Sequence, residues 1–298
     1  MRVRLIPLLA FALVTLACGD DGAAEDDSPV STTVAELAPD LTDSGLSDTD
    51  RPSIEPSAEP WPAALDDEHQ DWAVRVVRRV PHDPAAFTQG LERSGSTIIE
   101  STGRRTQSTL RVFDLDTGET STSIALDPAY FGEGLTVVGD EVVQLTLEAG
   151  VALRYDAASL EPTGTYSYAG EGWGLCAGAE GLWMSNGTTE LTRRDAADFA
   201  ALETVTVRRN GEAVDELNEL ECIGSYVVAN VWKSNDVLVI DPASGIVAAT
   251  IDASSLAAEI GATDAQAVLN GIADLGDGTL LLGGKQWPTF FVVEVVTA

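Results

Sequence analysis

A unit of about 40 to 50 residues recurs along most of the chain and constrains its fold more than any other feature. Each unit opens with a glycine–leucine or similar step, and successive steps lie 40 to 52 residues apart. The steps are Gly90-Leu91, Gly134-Leu135, Gly174-Leu175, Glu219-Leu220 and Gly271-Ile272. Two short apolar runs follow each step, and the second ends in an acid in four units, before turn residues and a further alternating stretch. Four short strands with tight turns, repeated at this interval, are typical of β-propeller blades.

The ends of the repeat predict how the ring closes. Five units fit, but the last, residues 270–296, has no room for a fourth strand. Residues 74–80 alternate between apolar and polar side chains and precede the first unit, so they can supply the missing outer strand. We therefore predict an all-β, five-bladed propeller closed by an N-terminal strand. Helical periodicity is visible only over residues 255–260.

The first 18 residues are typical of an export signal. Arg2 and Arg4 precede an apolar run that is too short to span a bilayer and that ends at Cys18. Residues 14–18 resemble a bacterial lipoprotein cleavage box, although Thr15 stands where leucine is usual. We expect an exported protein that is lipid-anchored to the cell membrane through Cys18. The alternative is a secreted or periplasmic protein with an incidental cysteine.

Residues 19–71 are strongly acidic, with sixteen Asp or Glu against one base, Arg51. Such a segment buries too little apolar surface to offset the entropy of ordering, so it is predicted to be a disordered linker. Residues 72–298 then form the globular domain. The whole chain carries a formal net charge of −31, which argues against nucleic acid as a partner and against binding to an anionic bilayer through a basic patch. Contact with a membrane is expected only through the lipid anchor.

Histidine and cysteine are scarce. The chain has two histidines, His69 and His82, and three cysteines, so no zinc site of ordinary spacing is predicted. An exported protein can oxidise Cys176 and Cys222. Their positions in the repeat are offset, and we therefore expect two buried thiols rather than a disulfide. The Asn186-Gly187-Thr188 string matches a glycosylation sequon, but a hairpin turn is favoured.

Polar and aromatic residues cluster where each predicted inner strand begins. These strings are residues 87–91, 131–135, 171–175, 218–221 and 270–272, joined by residues 230–233 and 284–288 later in the last two units. Closing the ring brings the beginnings of the five inner strands to one mouth of the channel. The convergence of carboxylates, amides, indoles and a lysine predicts a pocket for a small polar substrate.

These strings also carry a resemblance to a known family. Residues 82–91, 131–135, 171–175, 217–221, 230–232 and 284–288 resemble the plant- and bacterial-type glutaminyl-peptide cyclotransferases, in order and spacing, over about residues 74–296. The resemblance implies a five-bladed propeller that converts the N-terminal glutamine of peptides to pyroglutamate with release of ammonia. It implies an acyltransferase of the aminoacyltransferase class, with peptides or proteins bearing N-terminal glutamine as partners and no catalytic cofactor. We expect a monomer.

The resemblance implies roles for three catalytic residues. Glu133 would be the proton shuttle, and Lys285 and Asn218 would polarise the side-chain amide of the substrate. Glu133 lies between two glycines that let the substrate approach, and Lys285 is one of only two lysines. As alternatives, Glu133 is a solvated turn residue, Lys285 is a surface lysine, and Asn218 satisfies backbone groups of the channel.

Seven further residues are expected to bind substrate. They are Phe87, Gln89, Phe131, Trp173, Trp232, Glu219 and Glu221. The aromatic rings would wall the pocket and contact the substrate amine, and the two acids would attract it. Gln89 is equally suited to bonding backbone groups, and one of the two acids is better suited to holding a channel backbone group or ion. A structural calcium ion in the channel is a further expectation, without a catalytic metal.

One position departs from the family pattern. Leu147 stands where the family has tryptophan, so a pocket wall lacks its indole. This change leaves a rival function open, a non-catalytic propeller that binds exported proteins. A metal-dependent lactonase on a propeller is a third candidate, disfavoured by the shortage of histidine and the absence of a spaced acidic metal set.

Overall fold

The structure, a computed structural model, describes residues 59–62, 64–65 and 68–298. The predicted export signal, Cys18 and most of the predicted acidic linker lie outside these residues. The described chain is almost entirely β-structure, with 22 strands and one short helix, α1 (Ser254–Ile260), at the position where helical periodicity was visible. In that part of the chain no helix has both the length and the apolar character needed to cross a membrane.

Three sheets each consist of four antiparallel strands in sequence order. The first sheet contains β2 (Thr88–Ser94), β3 (Thr97–Thr102), β4 (Thr109–Asp114) and β5 (Thr120–Ala125). The second contains β6 (Gly132–Val138), β7 (Glu141–Thr146), β8 (Val151–Asp156) and β9 (Pro162–Ser167). The third contains β10 (Leu175–Gly178), β11 (Gly181–Ser185), β12 (Glu190–Arg194) and β13 (Ala201–Thr206). Their spacing follows the repeat seen in the sequence.

The remaining strands form one larger sheet that the N-terminal strand, β1 (Gln70–Pro81), holds together. One half contains β16 (Leu217–Ile223), β17 (Tyr226–Val231), β18 (Asp236–Asp241) and β19 (Ile246–Asp252), joined at β19 by the short pair β14 (Arg208–Arg209) and β15 (Glu212–Ala213). The other half contains β20 (Leu269–Asp274), β21 (Leu280–Gly284) and β22 (Thr289–Thr297). β1 pairs antiparallel with β22 and parallel with β19. It therefore supplies the missing outer strand, as predicted.

The first strand of every four-stranded group packs against the first strand of the next. β2 contacts β6, β6 contacts β10, β10 contacts β16, β16 contacts β20, and β20 contacts β2 again. Hydrophobic clusters of the described residues fill the gaps between neighbouring groups, such as Leu135 with Leu110 and Leu175 with Leu145. The strands thus surround a common axis in a propeller-like arrangement, with the core divided among the gaps.

The acid that ends the third strand in several units fixes the turn that follows. Asp114 Oδ1 accepts hydrogen bonds from the backbone N–H groups of Asp116 and Thr117, and Gly118 adopts a φ of 73°. Asp156 bonds its own turn in the same way. These side chains replace missing backbone partners in the turn, which explains why the repeat carries an acid there. The Asn186 string likewise forms the turn between β11 and β12, as predicted.

Cys176 and Cys222 form a disulfide, and the prediction of two buried thiols was wrong. The two cysteines lie on β10 and β16, with their Cα atoms 5.3 Å apart. Successive side chains of a strand point to opposite faces. Cys176 comes one residue after Leu175, so it lies on the opposite face of β10 and faces the fourth group. Cys222 comes two residues after Leu220, so it lies on the same face of β16 as Leu220 and faces the third group. The offset in the repeat is what places the two sulfur atoms in the same gap.

Several described residues before the predicted domain boundary at residue 72 pack against the domain. β1 starts at Gln70, and His69 Nδ1 lies 3.1 Å from the carbonyl oxygen of Val247. Trp61, assigned to the linker from the sequence, stacks on Trp72 with ring centroids 5.5 Å apart. The last residues before the predicted boundary thus contribute to the core between the fourth and fifth groups.

Candidate functional site

A cavity of about 360 Å³ lies where the first strands begin and the second strands end. It is lined by Phe87, Gln89, Arg104, Phe131, Glu133, Leu147, Trp173, Asn218, Trp232, Gln266 and Lys285. Two of the lining residues, Phe87 and Phe131, immediately precede a first strand, and Trp173 lies two residues before one. Two others, Leu147 and Lys285, directly follow a second strand. The structure therefore brings together the three predicted catalytic residues and five of the seven predicted substrate-binding residues.

Glu133 lies on β6 with 3% of its surface exposed. One of its carboxylate oxygens, Oε1, accepts a hydrogen bond of 2.8 Å from Gln89 Nε2. Burial raises the pKa of the Glu133 carboxyl well above its usual range, the charge of Lys285 opposes that rise, and the charge of Glu171 adds to it. A carboxyl with a raised pKa exchanges protons more readily with an amine than an exposed carboxyl does.

Lys285 follows β21 and is 5% exposed. Burial lowers the pKa of its ammonium group to about 8, although the charge of Glu133 works in the opposite direction. Its Nζ lies 5.1 Å from the centroid of the Phe87 ring. The backbone at Lys285 is fixed by two hydrogen bonds. Lys285 N–H donates to the carbonyl oxygen of Val268, and Gln286 N–H donates to the carbonyl oxygen of Ala86. The alternatives of a solvated Glu133 and a surface Lys285 are both excluded by this burial.

Gln89 lies at the cavity, but its amide already has partners in the protein. Its Nε2 donates to Glu133, and its Oε1 accepts from Asn270 Nδ2 at 3.2 Å. Asn270 is in turn held by the carbonyl oxygen of Thr88 at 3.1 Å. Recognition of the substrate amide, predicted for Gln89, is therefore less well supported than orientation of the Glu133 carboxyl.

Asn218 is an amide of the cavity lining that remains available to a ligand. It lies on β16, is 2% exposed, and its Oδ1 has no hydrogen-bond partner among the described residues. The Asn218 backbone is fixed, since its carbonyl oxygen accepts from Ser185 Oγ at 2.5 Å. A Cβ atom on Gly174 would lie 2.1 Å from that oxygen, so only glycine fits at this step of the repeat. The buried, unpaired oxygen is suited to accept a hydrogen bond from a carboxamide N–H.

Aromatic rings wall the cavity, as predicted for Phe87, Phe131, Trp173 and Trp232. Phe87 and Phe131 meet edge to face at 6.3 Å, and Trp173 and Trp232 do so at 5.8 Å. Trp173 Nε1 donates to Glu171, which fixes the indole. These walls exclude water from the acid and the lysine and present π faces to a substrate amine.

Glu219 and Glu221, predicted to bind substrate, do not line the cavity, and a role for them in substrate binding stays a prediction. A register shift in β16 between Leu217 and Leu220 leaves Asn218 at the cavity and directs Glu219 across the channel toward β2, the first strand of the first group. Glu219 Oε1 there accepts from Leu91 N–H at 3.3 Å. Burial raises the pKa of both carboxyls well above the usual range, and for Glu221 the charge of Glu92 adds to the rise. They belong to the interior of the channel.

The acids of the channel bear on the expected structural ion. Within residues 59–62, 64–65 and 68–298, no three or more His, Cys, Asp or Glu side chains are placed to hold an ion together. Glu219 Oε2 is buried without a hydrogen-bond partner among the described residues. A structural calcium ion in the channel stays a prediction.

The sequence prediction missed two residues of the cavity, Arg104 and Gln266. Arg104 follows β3 as Leu147 follows β7 and Lys285 follows β21. The repeat therefore contained the signal for Arg104, but the ends of second strands were used only in the second, fourth and fifth units. Gln266 precedes β20 in the loop after α1, where no repeat position guides a prediction.

The fold and the cavity together define a class of protein, an all-β, propeller-like protein with a buried acid and a buried lysine at one aromatic pocket. The family model of glutamine cyclotransferase matches residues 53–295, and the chain belongs to that family. A glutaminyl-peptide cyclotransferase from Arabidopsis thaliana is 36% identical over 241 residues, covering 79% of this chain and 75% of the relative. The crystal structure of Myxococcus xanthus glutaminyl cyclase is 38% identical, with a TM-score of 0.74, over 78% of this chain and all of that one.

Proposed function

We propose that this protein is a glutaminyl-peptide cyclotransferase, which converts the N-terminal glutamine of peptides to pyroglutamate and releases ammonia. The observation that carries the proposal is the placement of Glu133 and Lys285 in one buried cavity of a chain that belongs to this family. Unpaired buried charges are costly, so two such groups facing one cavity are typical of a catalytic site.

The reaction joins atoms that already belong to one residue. The α-amine of the glutamine attacks its own side-chain amide carbon, a C–N bond forms, and the C–N bond to the leaving nitrogen breaks. The amine loses a proton, and the departing nitrogen gains one to leave as ammonia. Because the reactants are tethered, the enzyme mainly selects the folded conformer and moves that proton.

Glu133 is proposed to move the proton. An α-amino group has a pKa of about 8, and the raised pKa of Glu133 brings the carboxyl closer to that value. The deprotonated carboxyl takes a proton from the attacking amine and then delivers it to the leaving nitrogen. Gln89 holds the carboxyl in place through its 2.8 Å hydrogen bond.

Lys285 and Asn218 are proposed to polarise the side-chain amide. The Lys285 ammonium stabilises negative charge that develops on the amide oxygen, in a cavity where little water competes. Asn218 Oδ1 accepts from the amide N–H and orients the group. The aromatic walls enclose the folded glutamine.

The number of blades, the enzyme class and the roles of the N-terminal residues are part of the same proposal. The closed circuit of first strands supports a count of five blades, with β1 completing the last. We also propose an acyltransferase of the aminoacyltransferase class, working as a monomer without a catalytic cofactor. The residues before the domain are proposed as an export signal, a lipid anchor at Cys18 and a disordered linker.

The test is ammonia release and pyroglutamate formation from a peptide with N-terminal glutamine, using the chain from residue 19. Glu133→Gln is expected to lower kcat by about 10²- to 10⁴-fold, the usual contribution of a positioned acid–base group. The two lysines provide a matched comparison. Lys285→Met is expected to abolish most activity, whereas Lys233→Met retains it, because Lys233 stacks on Trp232 outside the cavity lining.

The rival function, a non-catalytic binding propeller, rests on Leu147, which lines the cavity in place of an aromatic wall. It predicts saturable binding of the peptide with no product. A wild-type protein that binds the peptide and releases no more ammonia than Glu133→Gln would establish the rival and remove the cyclase proposal.

A further inference from the structure

Arg104 is the one cationic residue of the cavity lining that the proposed chemistry does not use. It lies in the turn between β3 and β4 and is half-buried, whereas Glu133 and Lys285 are almost fully buried. The arginine is therefore closer to solvent than the two reactive groups.

The turn that carries Arg104 is built onto the aromatic wall. Gly103 N–H donates to the carbonyl oxygen of Phe87 at 2.8 Å, and a Cβ atom on Gly103 would overlap the Phe131 ring. Arg104 has a φ of 80°, and its carbonyl oxygen accepts from Gln107 N–H at 3.0 Å and Ser108 Oγ at 2.8 Å. This backbone is held in an unfavourable region by several contacts, so the side chain is placed before a ligand arrives.

The Arg104 guanidinium has no carboxylate partner within 4 Å among the described residues, in a chain where acids greatly outnumber bases. Its neighbour Arg105, in contrast, pairs with Glu148 at 2.5 Å. Arg104 stacks on Phe87 at 4.4 Å, and one nitrogen donates to the neutral Gln286 Oε1 at 2.9 Å. A guanidinium has five N–H donors, so most of them remain available to a ligand.

We propose that Arg104 binds a carboxylate that follows the N-terminal glutamine of the substrate and so determines substrate preference. The inference rests on the proposed function, because it takes the glutamine to occupy the space between Glu133 and Lys285. The rest of the peptide must then leave the cavity toward solvent, past the half-buried arginine. A planar guanidinium is the group best suited to hold a carboxylate through paired hydrogen bonds.

The negative charge of the whole chain makes a local cation useful for binding an acidic substrate. The net charge of −31 repels acidic peptides at long range. A local, partly desolvated cation at the mouth compensates for that repulsion where the substrate binds. The carboxylate has two possible sources, the side chain of an acidic second residue and the C-terminus of a dipeptide.

The experiment compares kcat/KM for matched peptides. The first pair is Gln-Asp-Ala amide and Gln-Asn-Ala amide, and the second pair is Gln-Ala and Gln-Ala amide. Arg104→Gln is expected to lower the acidic-to-neutral ratio about five-fold relative to wild type, the size of a partly exposed charge-assisted hydrogen bond. The effect appears in the first pair if the side chain binds and in the second if the C-terminus binds.

Arg105→Gln is the matched control, because it removes the same charge from the neighbouring arginine, which is outside the cavity lining. It is expected to leave both ratios within about two-fold of wild type, since exposed charges are strongly screened. Arg104→Lys keeps the charge and is expected to retain part of the preference, which separates charge recognition from damage to the turn.

The outcomes separate the two proposals. An active wild-type enzyme whose ratios are the same in Arg104→Gln and Arg105→Gln overturns the role of Arg104 and leaves the cyclase proposal standing. A wild-type protein that forms pyroglutamate from none of the four peptides overturns the proposed function and this inference with it.

Discussion

Glu133 and Lys285 have pKa values that are shifted toward each other by the same cause. Burial raises the pKa of the carboxyl and lowers that of the ammonium to about 8, while the attraction between the two charges limits both shifts. The proposed chemistry needs Glu133 without its proton and Lys285 with its proton. The active form is therefore confined to a window of pH between the two transitions.

A bell-shaped dependence of kcat/KM on pH is the expected result, with the alkaline limb near pH 8 and the acidic limb above the usual range of a glutamate. Lys285→Arg should remove the lysine limb, because a guanidinium stays charged throughout the accessible range, at some cost in rate. The profile is measured by ammonia release at constant ionic strength. An unchanged alkaline limb in Lys285→Arg would show that another group, such as the substrate amine, sets it.

Leu147 permits a direct test of the missing aromatic wall. Leu147→Trp adds a ring beside the Phe131 side of the cavity, where Leu147 N–H donates to the Phe131 carbonyl oxygen. An added aromatic contact contributes about 0.5–1.5 kcal/mol, so we expect KM for a small peptide amide to fall about two- to ten-fold. Initial rates over a range of substrate concentrations measure the change. An equal loss of kcat would indicate that the indole obstructs the glutamine instead.

At the scale of elements, the repeat predicted the strands because each one carries its own local signal. Alternating side chains and acid-terminated turns are properties of a few consecutive residues, such as Asp114 and its turn. The disulfide was missed because it depends on how two strands that share no hydrogen bonds face each other across a gap. Strand alternation explains the pairing of Cys176 with Cys222 once the gap is known.

The disulfide is expected to stabilise the contact between β10 and β16. It closes a loop of 46 residues, for which loop-closure entropy gives about 2–4 kcal/mol. Replacing both Cys176 and Cys222 with alanine should lower Tm by roughly 5–15 °C, as followed by circular dichroism. A reductant should lower the Tm of the wild type toward that of the double variant and leave the variant unchanged. Equal melting of all samples would contradict a stabilising bridge.

At the scale of the whole molecule, the sequence predicts those site residues whose position depends only on how the ring of strands closes. Residues at equivalent places in the repeat, such as Phe87, Phe131 and Trp173, converge for that reason. Glu219 and Glu221 could not be placed, because a register shift in β16 decides which side chains face the cavity. The same shift occurs at the start of β2, β6 and β20, at the steps of the repeat, but strand alternation alone does not reveal it.

The channel acids predict how the stability of the fold depends on pH. Burial raises the pKa of Glu92 from 4.5 to about 7, with the charge of Asp274 adding to the rise. The folded state therefore binds more protons than the unfolded state between these values, and stability falls as the pH rises from 4.5 through 7. Glu92→Gln removes this ionisation, so its Tm should exceed that of the wild type by about 2–4 °C at pH 8 and match it near pH 4.5.

Thermal melting at the two pH values measures this effect, with Glu119→Gln as the control because Glu119 is exposed. The control should follow the wild type at both pH values. A Glu92→Gln variant whose advantage is the same at pH 4.5 and pH 8 would contradict an ionisation-dependent penalty.

The position of β1 also determines how the domain responds to mechanical load. β1 runs antiparallel to β22 along most of its length, and its first residues pair with β19. A force that pulls on the chain before Gln70, and is opposed by drag on the rest of the domain, acts along the axis of β1. The ladder hydrogen bonds are then loaded together in shear and do not open one after another, so the strand that joins the two ends of the ring is also the one best oriented to resist extraction.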